Sequence, residues 1–132
     1  MDTEGNIAIV RELIGAIERF DVERVGALYH PDAVQTEYPN RLYAKGQVRT
    51  RETLLRDLPR GAALLAGQRY EIEGIFGSGD QVAVETRWQG ELKVPVGSRK
   101  PGESIVAHIC MVFTLRDGRV AAQKNYDCYE EF

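Results

Sequence analysis

The stretch that decides the fold is "SIVAHICMVFTLRDGRVAAQKNYDCY", residues 104–129. Asp117 and Gly118 lie between two runs rich in β-branched and apolar residues, and Asp-Gly is favoured at the centre of a type I′ hairpin turn. The stretch therefore predicts a β-hairpin. Its second arm also carries Asn125 and Asp127, two polar side chains that could take part in catalysis or ligand binding.

A two-residue turn predicts how the two arms pair. If Asp117 and Gly118 form the loop, Arg116 faces Arg119, and this register continues outward along the ladder. His108 then lies directly opposite Asp127. The same register places five polar or reactive side chains on one face of the sheet: His108, Cys110, Gln123, Asn125 and Asp127. Val106 and Val112 lie on this face too. A mixed face of this kind indicates a partly enclosed cavity or a subunit interface.

The other face of the hairpin is predicted to be mostly apolar and to meet the helices. Its members are Ile105, Ala107, Ile109, Met111, Phe113, Ala122, Tyr126 and Cys128. The two cysteines, Cys110 and Cys128, fall on opposite faces in this register. That geometry opposes a disulfide between them.

The first half of the chain is predicted to be helical. Apolar residues recur at helical spacing from Ile7 to Phe20, and Asp21 looks like the N-cap of a second helix over residues 22–30. A third helix is predicted over about 48–58, ending near Pro59, after a short strand at 33–38. A second hairpin flanks "GSGD", residues 77–80. Helices followed by antiparallel strands indicate an α+β fold, with three N-terminal helices packed on one sheet face.

Composition excludes several classes of protein. The 132 residues carry 17 Lys and Arg against 20 Asp and Glu, a net charge of -3, which argues against nucleic acid as a partner. The apolar runs are too short to cross a membrane, and the N-terminus does not resemble a secretory signal. We therefore expect one cytoplasmic domain over residues 1–132, with free thiols.

Cofactors are not indicated either. There are two histidines, His30 and His108, and no spacing resembles a zinc site. "GSGD" joins two strands and opens no helix, so it is not a phosphate-binding loop. We expect no metal and no cofactor.

Four short motifs carry a resemblance to a known superfamily: "TEYP" (36–39), "SGDQVAVETRW" (78–88), "HICMVFTLRDGRV" (108–120) and "NYDCY" (125–129). Together with the order of elements, they resemble the nuclear transport factor two–like superfamily. This group includes ketosteroid isomerases, limonene epoxide hydrolase and SnoaL-like polyketide cyclases. The resemblance implies a strongly curved, cone-shaped antiparallel or mixed sheet around an apolar pocket, and a homodimer packed through the sheet.

The resemblance also ranks the reactions. Ketosteroid isomerases carry their base just before the proline that ends the first strand, where this chain has Tyr38, and Glu37 would point to the opposite face. The middle strand has Arg87-Trp88-Gln89, so it lacks the first acid of the epoxide hydrolases. SnoaL-like cyclases pair an acid on the last strand with a neighbouring His, a pattern that Asp127 and His108 fit.

Each candidate residue has a functional and a structural interpretation. Asp127 would be a general base oriented by His108, or the two would form a cross-strand ion pair. Cys110 would form a nucleophile pair with His108, or be a buried, inert thiol. Four further residues could bind a ligand or serve packing and pairing alone: Tyr38, Arg87, Trp88 and Asn125.

Three functions follow from these interpretations. The first is a cofactor-independent isomerase or cyclase that moves a proton on a small, apolar, carbonyl-bearing molecule. The second is a non-catalytic ligand-binding or dimerisation module of the same fold. The third is an epoxide hydrolase-like enzyme, which requires a water held between two acids, whereas only one well-placed acid is evident from the sequence.

Overall fold

The computed structural model describes residues 2–132. It contains three helices, α1 (Thr3–Glu18), α2 (Val22–Leu28) and α3 (Arg51–Leu64). Six strands complete the fold: β1 (Tyr29–Glu37), β2 (Gln47–Thr50), β3 (Leu65–Ser78), β4 (Gln81–Leu92), β5 (Ser104–Arg116) and β6 (Arg119–Tyr129).

Each helix begins at a side chain that caps its free N–H groups. The carboxylate of Asp2 accepts from the backbone N–H of Gly5 at 2.7 Å, and that of Asp21 accepts from Arg24 at 3.0 Å. Thr50 forms a reciprocal capping box with Thr53 at the start of α3. The caps and the apolar stripe of α1 confirm the predicted helical first half.

Three boundaries differ from the predicted ones. The second helix ends at Leu28, and β1 already begins at Tyr29 and passes through Pro31. A proline is tolerated there because the ladder to β6 is irregular between Tyr29 and Val34. The third helix continues through Pro59 to Leu64, with the loss of one intrahelical hydrogen bond. The short edge strand β2 was not predicted.

The six strands form one mixed sheet in the order β2-β1-β6-β5-β4-β3. All neighbours are antiparallel except β1 and β6, which are parallel. The core lies between the concave face of the sheet and the helices. It includes Val10 and Leu13 of α1, Val84 of β4, and Met111 and Phe113 of β5. The predicted α+β architecture with a curved sheet is confirmed.

The decisive hairpin has the predicted turn but not the predicted register. Asp117 (φ 53) and Gly118 (φ 74) both adopt the left-handed conformation that a type I′ turn requires. Leu115 pairs with Val120, but Thr114 pairs with Ala122, so Ala121 is an extra residue in β6. This is a β-bulge.

The bulge shifts all later pairs of the hairpin by one residue. His108 faces Cys128, and Asp127 faces Ile109. Because side chains alternate along a strand, the one-residue shift inverts the faces of β6 relative to β5. The predicted pairing of His108 with Asp127 is therefore wrong: the two side chains point to opposite faces of the sheet.

The inversion affects β6 and leaves the assignment of β5 intact. The concave face receives Gln123, Asn125, Asp127 and Tyr129, while the convex face receives Lys124, Tyr126 and Cys128. Tyr126 is 43% exposed and does not lie in the core. Cys110 and Cys128 share the convex face, contrary to prediction, and both are free thiols.

Candidate functional site

The concave face of the sheet and the helices α1 and α3 surround a cavity of ≈ 240 Å³. Its apolar wall includes Ile17, Phe20, Leu54, Leu58, Trp88, Ile109 and Met111. Its polar wall includes Gln35, Glu37, Arg49, Asp57, Gln68, Asn125 and Asp127. A second space of ≈ 100 Å³, lined partly by the same side chains, reaches Tyr29 and Gln123. The site is thus an apolar pocket with a few convergent polar groups, as ligand sites commonly are.

Asp127 is the acid that the bulge turns into this cavity. Burial, reinforced by the negative charge of Glu37, raises the pKa of Asp127 to about 7, while Arg49 acts in the opposite direction. Its buried Oδ1 atom accepts no hydrogen bond from residues 2–132. Near neutral pH such a carboxyl group exists in both protonation states, which suits a general base.

Arg49 holds two further carboxylates at the cavity. Its Nη1 atom donates to Glu37 Oε1 at 2.9 Å, and its Nε atom donates to Asp57 Oδ2 at 3.3 Å. The other oxygen of Glu37 accepts from Asn40 at 2.8 Å. Burial opposes the charge of Arg49, but the hydrogen bonds and charges of its partners outweigh burial and raise its pKa. The cation is therefore fixed in place and neutralised locally.

Sequence reasoning missed Glu37, Arg49 and Asp57. Because Tyr38 is predicted to face the pocket, strand alternation directs its neighbour Glu37 to the opposite face, so Glu37 is not among the predicted pocket residues. In the structure Glu37 is the buried one. Arg49 lies on the unpredicted strand β2, so its side chain had no assigned face.

Trp88 and Asn125 do line the cavity, as expected for ligand-binding residues. The indole N–H of Trp88 donates to Gln68 Oε1 at 2.9 Å, and Gln68 in turn donates to the Ile17 carbonyl at 2.8 Å. These bonds hold the ring as a wall of the cavity. Asn125 Oδ1 accepts from Gln123 Nε2 at 2.8 Å.

Tyr38 and Arg87 lie outside the cavity. Tyr38 is 37% exposed and stacks on Tyr126, with 4.9 Å between ring centroids. Arg87 precedes the cavity-facing Trp88, so it points to the convex face, where it donates to Gln89 at 3.1 Å. The expectation that Tyr38 or Arg87 supplies a donor in the pocket is therefore wrong.

His108 and Cys110 also lie on the convex face. The His108 ring contacts Glu130 at 2.8 Å, and both side chains are exposed. A shallow depression there includes His108, Cys110 and Cys128. Burial and the charge of Glu85 raise the pKa of the Cys110 thiol, which disfavours the reactive thiolate. Neither residue can act on a ligand in the concave cavity.

The model of the SnoaL-like domain family matches residues 10–123, most of the chain. The chain belongs to the SnoaL-like family. The superfamily resemblance inferred from the sequence is thereby confirmed, and other solved structures that match this SnoaL-like protein have a ketosteroid isomerase-like or NTF2-like fold.

Three solved structures are similar over most of their length. AclR from Streptomyces galilaeus, a proposed hydroxylase, has a TM-score of 0.79 and 16% identity over 96% of this chain and 81% of its own. IdmH from Streptomyces antibioticus, a proposed polyketide cyclase, has a TM-score of 0.78 and 22% identity over 92% and 91%. A limonene epoxide hydrolase-like (LEH-like) epoxide hydrolase from M. tuberculosis has a TM-score of 0.73 and 22% identity over 97% and 84%. At these identities the likeness concerns the fold alone.

A search of curated proteins found no significant match. In residues 2–132, no helix is both long and apolar enough to span a bilayer. Over the same range, no three His, Cys, Asp or Glu side chains are grouped closely enough to hold a metal ion.

The environment of Asp127 predicts a specific titration. Following the carboxyl carbon of Asp127 by NMR should give a midpoint near pH 7. Glu37→Gln removes a neighbouring negative charge, so the midpoint should fall, whereas Glu130→Gln on the convex face should leave it unchanged. A wild-type midpoint near 4, the ordinary value for an aspartate, would show that Asp127 is solvated instead of facing an enclosed cavity.

Proposed function

We propose that this SnoaL-like protein binds a small, apolar, carbonyl-bearing molecule and catalyses proton transfer on it without a cofactor, with Asp127 as the base. One observation carries the proposal: a carboxylate in an apolar cavity has a free Oδ1 atom and a pKa near 7. A base of this strength is matched to neutral pH, where it is both available and strong enough to compete for a carbon-bound proton.

The proposed step uses Asp127 and Asn125 together. A proton leaves the carbon next to the ligand's carbonyl and binds Oδ1 of Asp127, while the C–H electron pair becomes the enolate. The enolate oxygen is stabilised by the amide of Asn125, two residues earlier on the same strand face and therefore about 7 Å away along the strand. Return of the proton to a different carbon completes an isomerisation. Alternatively, attack of the enolate carbon on a second carbonyl of the same ligand forms a ring, and the alkoxide produced by opening that C=O π bond takes back the proton held by Asp127.

The remaining charged groups have a supporting part in this proposal. Arg49 is already bonded to Glu37, Asp57 and Gln35, so its charge holds these groups in place and moderates the pKa of Asp127. His108 has no role in the revised mechanism because it lies on the other side of the sheet.

An epoxide hydrolase-like reaction is the second candidate, and one observation favours it. The cavity contains Glu37 and Asp57 in addition to Asp127, so more than the single acid evident from the sequence is present. Two carboxyl groups at different protonation levels could respectively activate a water and protonate an epoxide oxygen. In this reaction the ligand would be an epoxide.

Exchange of carbon-bound hydrogen for deuterium tests the first candidate directly. Acetophenone and 2-tetralone in D₂O should lose their α-proton NMR signals faster with the protein than without it, at a rate that increases as pH rises through about 7. Asp127→Asn should remove the acceleration, a loss on the order of 10²–10⁴-fold for a general base.

One control variant and two alternative outcomes distinguish the candidate functions. Glu130→Gln changes a carboxylate outside the cavity and should exchange like the wild type. Binding of the ketones without accelerated exchange would favour the non-catalytic module. Styrene oxide opening that depends on Asp127, in the absence of ketone exchange, would instead support the epoxide hydrolase.

We also propose that the convex face pairs with a second copy of this chain. Apolar side chains stand exposed on it, including the stacked Tyr38 and Tyr126, and Val34 and Phe76. Phe76 also borders a shallow apolar depression with Ala83 and Val112. A sheet face of this composition is typical of a surface that is covered in an oligomer.

The predicted dimer can be tested by substituting its centre. Tyr126→Lys places a charge among these exposed aromatic and apolar side chains, so light scattering coupled to size exclusion should change from the mass of a dimer to that of a monomer. Ser98→Lys, in an exposed loop, adds the same charge and should remain dimeric. A wild-type protein that is monomeric at micromolar concentration would contradict the proposal.

A further inference from the structure

We infer that a directional chain of buried hydrogen bonds orients the Asn125 amide so that its N–H groups, not its carbonyl, face the cavity. This polar relay consists of Arg49, Gln35, Tyr29, Gln123 and Asn125. The first four residues are positioning residues. The orientation of the Asn125 amide does not depend on the proposed function. The statement about the ligand does rest on the proposed function, which it deepens.

The relay begins at a residue that can only donate. Arg49 Nη1 donates to Gln35 Oε1 at 3.1 Å, and a guanidinium has no acceptor. The carbonyl end of Gln35 is thereby committed to Arg49, so the end that acts on the Tyr29 hydroxyl, where it opposes the rise in the Tyr29 pKa caused by burial, is its donating amide N–H. Gln35 is buried and lines the cavity, and buried polar groups of this kind are held by hydrogen bonds.

Tyr29 passes the direction on to β6. Its oxygen is the atom on which the Gln35 amide acts, and its single proton is donated to Gln123 Oε1. Gln123 must then present its Nε2 atom on the other side, where it donates to Asn125 Oδ1 at 2.8 Å. Tyr29 and Gln123 are almost completely buried, with 1% and 2% of their surface exposed.

A second contact independently determines the orientation of Gln123. Its Nε2 atom also lies 3.8 Å from the sulfur of Met111, and a thioether can only accept. A flipped Gln123 would place its carbonyl oxygen against the Met111 sulfur, which is a contact between two acceptors. The direction therefore does not depend on Arg49 alone.

The end of the relay defines what the cavity offers. Asn125 Oδ1 is occupied by Gln123, while its Nδ2 atom donates to no group in residues 2–132 and lines the cavity. Successive hydrogen bonds polarise one another, so the bond from Tyr29 to Gln123 strengthens the donors of Asn125. The ligand group placed there is a hydrogen-bond acceptor, such as a carbonyl or enolate oxygen, rather than a hydroxyl that must donate.

The orientation can be tested without a ligand, by NMR of the side-chain amides in ¹⁵N-labelled protein. Gln123 amide protons should exchange with water roughly tenfold or more slowly than those of Asn125, since only the former are bonded within the protein. Tyr29→Phe interrupts the relay and should shift the side-chain signals of both Gln123 and Asn125. Tyr38→Phe, at an exposed tyrosine outside the cavity, should leave both unchanged.

Gln35→Met interrupts the relay one bond earlier and provides a second test if Tyr29→Phe does not fold. Protected Asn125 amide protons with nuclear Overhauser contacts to Gln123 would show the opposite orientation and overturn the relay. Unchanged Asn125 signals in a folded relay variant would overturn the positioning roles.

A matched pair of probes tests the ligand class. Acetophenone and α-methylstyrene have the same shape, but only the ketone accepts a hydrogen bond. Acetophenone should bind several-fold more tightly to the wild type, and Asn125→Leu or Tyr29→Phe should reduce this preference while Tyr38→Phe, outside the cavity, should not. Absence of the preference in the wild type would overturn the ligand class, while the relay itself is decided by the amide exchange. A ketone preference without α-proton exchange would leave the inference intact and refute the catalytic proposal.

Discussion

One extra residue in the last strand determines which chemistry this protein presents to its cavity. Without the bulge at Ala121, the type I′ turn would place Gln123, Asn125 and Asp127 on the convex face beside His108. With it, all three enter the concave face, and Cys128 is turned outward beside His108. The apolar β5 face, which packs on the helices, is unaffected. The bulge is therefore the feature that adds Asp127 and the Asn125 amide to the polar wall of the cavity.

The site combines burial with incomplete pairing. An aspartate with a raised pKa destabilises the folded state when it ionises. The pKa of Asp127 is about 7 in the folded protein, which is above its value in the unfolded chain. At pH values between these two pKa values, the folded protein therefore binds more protons than the unfolded chain. Stability from this group is thus lost as pH rises from about 4 through 7. Arg49 lies close enough to lower this pKa, but it is bonded to Glu37 and Asp57 and not to Asp127. A buried ionisable group that lowers the stability of the folded state in this way is typical of functional sites.

Much of the fold could be predicted from local signals. The caps at Asp21 and the Asp117-Gly118 turn follow from short-range chemistry, and the alternation of β5 identified its core face correctly. The bulge could not be predicted, because Ala121 and Ala122 fit either face and neither requires an unusual backbone. The short edge strand β2 depends on its pairing with β1, and the sequence of its own four residues does not indicate this tertiary contact.

For the same reasons, the site was only partly predictable. Asp127, Asn125 and Trp88 were identified as candidates, but the partner assigned to Asp127 was wrong because its register was wrong. The choice between Glu37 and Tyr38 depended on which face of β1 meets the cavity, and strand periodicity alone supplies no answer. Family resemblance favoured a His beside the acid, whereas the structure surrounds the acid with Glu37, Arg49 and an amide.

The register of the final hairpin is the most direct test of this account. Nuclear Overhauser contacts between backbone protons across β5 and β6 report which residues are paired. The bulged register predicts contacts that pair Asp127 with Ile109 and His108 with Cys128, together with a break in the regular pattern at Ala121. An unbroken ladder that pairs His108 with Asp127 would place the acid on the convex face and contradict the proposed site.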